Sequence, residues 1–299
     1  MKKREIKLKI ALFLIPFLLL SCSNSKEESK KESIKMIEEN NSNETVYVSN
    51  LYELAHYGDI THIQELLNQG QKVNQGDAKS DSTPVFYAIQ NNQPQMVEAL
   101  VDFNASLEHK NRRGQTPLHV AVLSGFKQII GLLVKYKVNL EAKDKSGITP
   151  LLYAIEKGKI HIAMYLIDNG ASVKATDKDS ITPLLLASSK SSKDFVQFLL
   201  DKGADINQSN NLGSTPLHYA LMSNRVDIAS FLIEKGANVN AQDSKGATPL
   251  HIASALKNLN LVKKLLEKGA NKELKNIDGD RPLDIATKAW AIDIKEVLK

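Results

Sequence analysis

The dipeptide Thr-Pro occurs at 83–84, 116–117, 149–150, 182–183, 215–216 and 248–249, and every step is 33 residues. The next step lands on Arg281-Pro282. Seven of the nine prolines lie in this register, and only Pro16 and Pro94 do not. A strict period of this length means one supersecondary unit repeated along the chain, each unit burying its apolar face against its neighbours. The fold is therefore a quasi-linear stack, with stability roughly the sum of unit and interface contributions.

Other residues keep the same period. Ala88, Ala121, Ala154, Ala187, Ala220, Ala253 and Ala286 share one phase. Gly170, Gly203, Gly236 and Gly269 share a second, and Gly114, Gly147, Gly213, Gly246 and Gly279 a third. Apolar pairs recur at Leu100-Val101, Leu133-Val134, Leu166-Ile167, Leu199-Leu200, Leu232-Ile233 and Leu265-Leu266. Each choice has a physical cause. Threonine at a helix N-cap accepts a bond from an orphan backbone N–H, and proline at the first helical position sacrifices no donor that had a partner. The small alanine lets neighbouring helices approach. Glycine after the second helix permits a left-handed C-terminal stop, Asn104 tolerates the same conformation, and Lys137 makes a weaker one. Asp or Asn three residues before glycine is turn chemistry.

These residues resemble the ankyrin repeat, whose hallmark is Thr-Pro-Leu-His-x-Ala within 33 residues. The full hallmark stands at Thr116–Ala121, Thr215–Ala220 and Thr248–Ala253; Thr149-Pro150-Leu151-Leu152 and Thr182-Pro183-Leu184-Leu185 lose the histidine, and Thr83-Pro84-Val85-Phe86 is weaker. The resemblance implies an all-α ankyrin-repeat solenoid of stacked helix-turn-helix units joined by β-turn loops, with an extended concave surface for a macromolecular partner. It spans 48–299 as eight repeats: 48–77, 78–110, 111–143, 144–176, 177–209, 210–242, 243–275 and 276–299. The first repeat runs one residue out of phase, the extra residue being absorbed before Thr83. Repeats around 210–275 are expected to be the most stable and both terminal repeats to fray, with Trp290 reporting on the last.

The chain ahead of the repeats reads differently. Residues 1–9 are basic, and Ile10–Leu20 is an eleven-residue apolar run broken only by Pro16. A membrane span needs about 20 residues, so the run fits a secretory signal instead. It stops at Leu19-Leu20-Ser21-Cys22, which resembles a bacterial lipobox; the bulky Leu20 departs from the usual pattern. The resemblance implies a lipoprotein signal peptide over 1–21, cleavage before Cys22 and acylation of Cys22. An ordinary signal peptide with an incidental cysteine is the plainer alternative, but no Ala-x-Ala site follows the run. Residues 22–47 are polar and charge-mixed and read as a flexible tether. Ser23 and Asn24 lack the acidic residue linked to inner-membrane retention, which favours the outer membrane of a bacterial cell envelope.

Charge and composition exclude several function classes. The chain carries +5, but residues 1–21 hold five basic residues and one acidic residue, leaving 34 basic against 33 acidic. A near-neutral remainder has no global footprint for nucleic acid. The single cysteine, Cys22, excludes an intrachain disulfide and a cysteine-based zinc site. His119, His218 and His251 share one phase on separate helices and cannot converge on one ion, so they read as structural residues bonding within their own turns. No phosphate loop, nucleophile elbow or dinucleotide fingerprint is present. No cofactor, metal or small-molecule substrate is expected, and the chain reads as a non-catalytic protein-binding scaffold. The alternative is an envelope inhibitor or immunity-type protein that occludes an enzyme or toxin.

By the resemblance, partners bind at the turn tips and the exposed ends of first helices. From Ala78 to Thr176 those phases give seven basic residues and one acidic, among them Arg112, Arg113, Lys143 and Lys145, with apolar Leu123 and Ile148; Ser82 and Gln115 belong to the same set. From Asn210 to Lys275 they are more apolar, with Leu212, Ser214 and Met222. The expectation is a split groove, with an acidic partner patch steered to the basic half and an apolar anchor in the other.

Overall fold

The structure, a computed structural model, describes residues 50–299. The expected signal peptide, Cys22 and the expected tether lie outside the described residues. Among the described residues there are sixteen helices and no strand. They run α1 (Leu51–Tyr57), α2 (Ile60–Asn68), α3 (Pro84–Gln90), α4 (Pro94–Asp102), α5 (Pro117–Ser124), α6 (Lys127–Lys135), α7 (Pro150–Glu156), α8 (Ile160–Asp168), α9 (Pro183–Lys190), α10 (Lys193–Asp201), α11 (Pro216–Met222), α12 (Val226–Glu234), α13 (Pro249–Ala255), α14 (Leu259–Glu267), α15 (Pro282–Lys288) and α16 (Ile292–Leu298). Odd-numbered first helices pack on one another, even-numbered second helices pack on one another, and each pair packs within its repeat.

The core follows the period. All seven phase-sharing alanines from Ala88 to Ala286 are fully buried, together with Leu100, Leu133, Leu166, Leu199, Leu232 and Leu265 of the second helices. Proline opens every first helix from α3 onward. Thr149 Oγ1 accepts from Leu152 N at 3.3 Å and Thr182 Oγ1 from Leu185 N at 3.2 Å. In the last repeat Arg281 replaces the threonine, and the cap is made from the other side: Arg281 N donates to Asp284 Oδ2 at 2.9 Å. The second helices stop as expected, with φ of 102° at Gly170, 62° at Asn104 and 56° at Lys137.

The phase slip in the first repeat has a definite place. Asp77 N closes its turn on Ser82 O, five residues on, where Asn111 N closes on Gln115 O, four residues on. The extra residue lies in this tip, where Asp81 takes φ 55°. A second irregularity was not legible in the sequence. The turn between the paired helices carries a left-handed residue at Gly58, Asn92, Gly125, Gly158, Asn224, Lys257 and Trp290. In the fifth repeat Ser191 is extended instead (φ −99°, ψ −176°), and Ser192 Oγ caps α10 by accepting from Phe195 N.

The three hallmark histidines do more than close their own turns. Thr116 N donates to His119 Nδ1 at 3.1 Å, so Nδ1 is an acceptor and Nε2 carries the proton. That Nε2 donates to Ile148 O of the next repeat at 3.0 Å. His218 and His251 repeat the arrangement, reaching Ala247 O and Asp280 O. Each histidine is thus a neutral bridge between adjacent repeats. Burial pushes all three below the ordinary imidazole value. The unfolded chain then binds protons that the folded chain refuses. Stability is complete above about pH 6.5 and falls below it, by up to about 1.4 kcal/mol per pH unit for each histidine, until the folded imidazoles protonate. Exposed His62, raised by its hydrogen bond to Asp59, works in the opposite direction. Urea midpoints at pH 7.5 and 5.5 are expected to differ clearly in the native chain. They should converge in a variant carrying His119→Leu, His218→Leu and His251→Leu, leucine being what Leu152 and Leu185 already supply at this phase. An equal pH dependence in that variant would assign the effect elsewhere.

Trp290 corrects one expectation. It is 86% exposed, so unfolding hardly changes its surroundings and its emission does not report on the last repeat. Hydrogen exchange along the second helices reads the stability gradient instead.

Candidate partner-binding surface

The second to eighth repeats each open on a tip built around one Asx side chain. Asp144 Oδ1 accepts from Ser146 N and Ile148 N at 2.8 and 2.9 Å, and Asn210 Oδ1 accepts from Leu212 N and Ser214 N, both at 3.0 Å. At Asp77 burial opposes the charge, but donors from Ser80, Ser82 and Lys79 outweigh it and hold the carboxyl well below its usual range. Successive tips are joined by one backbone bond each: Arg112 N to Ser80 O, Lys145 N to Arg113 O, Lys178 N to Ser146 O, Asn211 N to Asp179 O, Ser244 N to Leu212 O and Ile277 N to Lys245 O. Gly114 makes this approach possible. It sits at φ +77°, and a Cβ there would lie 2.7 Å from Lys145 N.

The first helices brace the tips from below. Tyr153 Oη donates to Asp144 Oδ2 at 2.7 Å, and Asn210 Nδ2 donates to Tyr219 Oη at 3.0 Å. Burial and the bond to Asp144 push the Tyr153 phenol up to about 12. Tyr87, Tyr153 and Tyr219 share one phase in alternate repeats. That phase was the signal available in the sequence.

The expected basic residues come together. Arg112, Arg113, Lys143 and Lys145 are all exposed on two adjacent tips linked through Arg113 O. None of the four forms an ion pair among the described residues. Arg112 Nη2 reaches back to Ala78 O at 2.5 Å, tying the side chain across the tips. Leu212 at 61% and Met222 at 64% are the exposed apolar residues of the sixth repeat. Leu123 and Ile148 are only half-buried walls of the surface. Ser82, Gln115 and Ser214 are buried at the tip bases, a correction to the surface phase assigned to them. Their backbone carbonyls close the tip turns, which draws the residues inward. No group of three or more histidine, cysteine or carboxylate side chains capable of holding a metal occurs among the described residues.

Paired helices stacked repeat on repeat and a ladder of bonded tips define a helix-turn-helix repeat solenoid. The family profile described as Ankyrin repeats (3 copies) matches residues 51–144, 136–210, 152–243 and 207–276. The chain belongs to the ankyrin-repeat family, whose members are generally protein-binding scaffolds. No curated protein matches the chain.

Proposed function

We propose that this protein is an exported, lipid-anchored scaffold that holds a protein partner against its tips and first helices. The observation that supports it best is the set of unpaired cations on adjacent tips, Arg112, Arg113, Lys143 and Lys145, in a repeat region close to neutral. Exposed, uncompensated charge of one sign steers an opposite patch into register and raises the association rate more than the affinity. Leu212 and Met222 supply apolar area further along, where a partner anchor gains by leaving water. The lipobox-like stop at Cys22 supports acylation there and a place in a bacterial cell envelope, with the outer membrane favoured by Ser23 and Asn24. No step of chemistry is assigned to the chain.

The two halves of the surface make different kinetic predictions. With a partner isolated by crosslinking, Arg112→Glu combined with Arg113→Glu should slow association on the order of tenfold at low salt and flatten its salt dependence. Met222→Asp should leave association nearly unchanged and speed dissociation, because it places an unpaired charge in a desolvated contact. Unchanged kinetics in both variants, with native helical content by circular dichroism, would reject this surface.

A further inference from the structure

The fourth and fifth repeats depart from the others in the same places. Both lose the hallmark histidine, to Leu152 and Leu185, and both carry isoleucine before the threonine, Ile148 and Ile181, where neighbouring repeats have Ser82, Gln115, Ser214 and Ala247. Between them lies an open cleft of about 290 Å³. Ile148, Leu152, Ile181 and Leu186 form its apolar walls, and Asp177, Glu156, Lys190 and Tyr219 stand around them.

The chain itself shows what such a space accepts. In the fourth repeat the corresponding phase holds Tyr153, nine residues after Asp144, and its hydroxyl donates to Asp144 Oδ2 at 2.7 Å. In the sixth, Tyr219 stands nine residues after Asn210 and bonds it at 3.0 Å. In the fifth the same phase holds Leu186, nine residues after Asp177, and leucine has neither ring nor donor. Asp177 Oδ1 still makes its tip, accepting from Asp179 N and Ile181 N, while Oδ2 has no partner among the described residues. The cleft is the place of a missing tyrosine, with its carboxylate acceptor still present. Asp243 has Ile252 at the same phase, but there the residues before the threonines are Ser214 and Ala247 in place of the two isoleucines.

We propose that this cleft seats a tyrosine side chain of the protein partner, its ring against Ile148, Ile181 and Leu186 and its hydroxyl donating to Asp177 Oδ2. The inference rests on the scaffold reading above. Lys143, Lys145, Lys178 and Lys190 are exposed on these tips and the end of α9 without an ion pair among the described residues; they outnumber Asp177 and Asp179, and Glu156 is paired with Lys157, so the tyrosine is borne on an acidic segment.

The test needs no partner. The full chain, labelled with ¹³C at isoleucine and leucine methyls, is titrated with acetyl-Glu-Tyr-Glu-amide and with the same peptide carrying phenylalanine or O-methyltyrosine. The tyrosine peptide should shift Ile148 and Ile181 methyls saturably, at least fivefold more tightly than the other two. Leu186→Tyr should abolish those shifts while keeping helical content, because the chain then fills its own cleft. Asp177→Asn keeps the tip, as Asn111 and Asn210 do, and should shrink the discrimination against O-methyltyrosine, since an amide can donate to the ether oxygen. Equal affinity for the three peptides, shifts that persist in Leu186→Tyr, or discrimination unchanged in Asp177→Asn would overturn the proposal. Those results leave the kinetic test of the tips untouched, so the cleft and the scaffold reading fail separately.

Discussion

A Cys22→Ala chain is expected to lose its acyl anchor completely. The native chain, expressed in a bacterium with lipoprotein processing, should enter the detergent phase of a Triton X-114 extraction and carry an acyl mass increment on residue 22. The variant should appear unprocessed, or in the aqueous phase. The argument is chemical. Cys22 is the only thiol of the chain, and it stands at the end of an eleven-residue apolar run behind a basic segment. Each buried methylene adds about 0.8 kcal/mol, so one acyl chain holds marginally and several hold stably. No helix among the described residues is long and apolar enough to cross a membrane, so they offer no spanning helix as a substitute anchor. Mature native protein in the aqueous phase with a free Cys22 thiol would sink the anchor. It would leave the repeat stack and its tips as they are.

Much of the fold was legible because each repeat restates the same local chemistry. Thr-Pro at a helix start, alanine at the close approach and glycine, asparagine or lysine at the left-handed stop are consequences of short-range sterics and hydrogen bonding. The slip before Thr83 could be counted, and the structure places its extra residue in the 77–82 tip. Features that depend on the next repeat were harder to read. His119 was expected to bond within its own turn; its second nitrogen crosses to Ile148 O, 29 residues on. The bracing of Asp144 by Tyr153 and the open place at Leu186 needed the same comparison across phases. The extended turn at Ser191 has no periodic signal, since serine tolerates both conformations. On the surface, charge phase located Arg112, Arg113, Lys143 and Lys145 correctly as exposed residues, because long charged side chains seldom bury without a partner. Small polar residues at the tip bases gave no such guide, and Ser82, Gln115 and Ser214 turned inward.

The central claim is that one face of this stack, tips and first helices, engages a protein. Site-specific photocrosslinking in intact cells tests it most directly. A benzophenone side chain placed at Lys145 or at Met222 samples the two halves of the proposed groove, both exposed. The same probe at Gln128 on α6 or Lys263 on α14 samples the second helices, equally exposed. Because a specific interface is a patch of about 800 Å² per partner, it covers one face of a small stack and leaves the other in water. The account predicts one discrete protein adduct, of the same added mass from Lys145 and Met222, and none from Gln128 or Lys263. Adducts confined to the second-helix positions, or no protein adduct from any of the four, would contradict it.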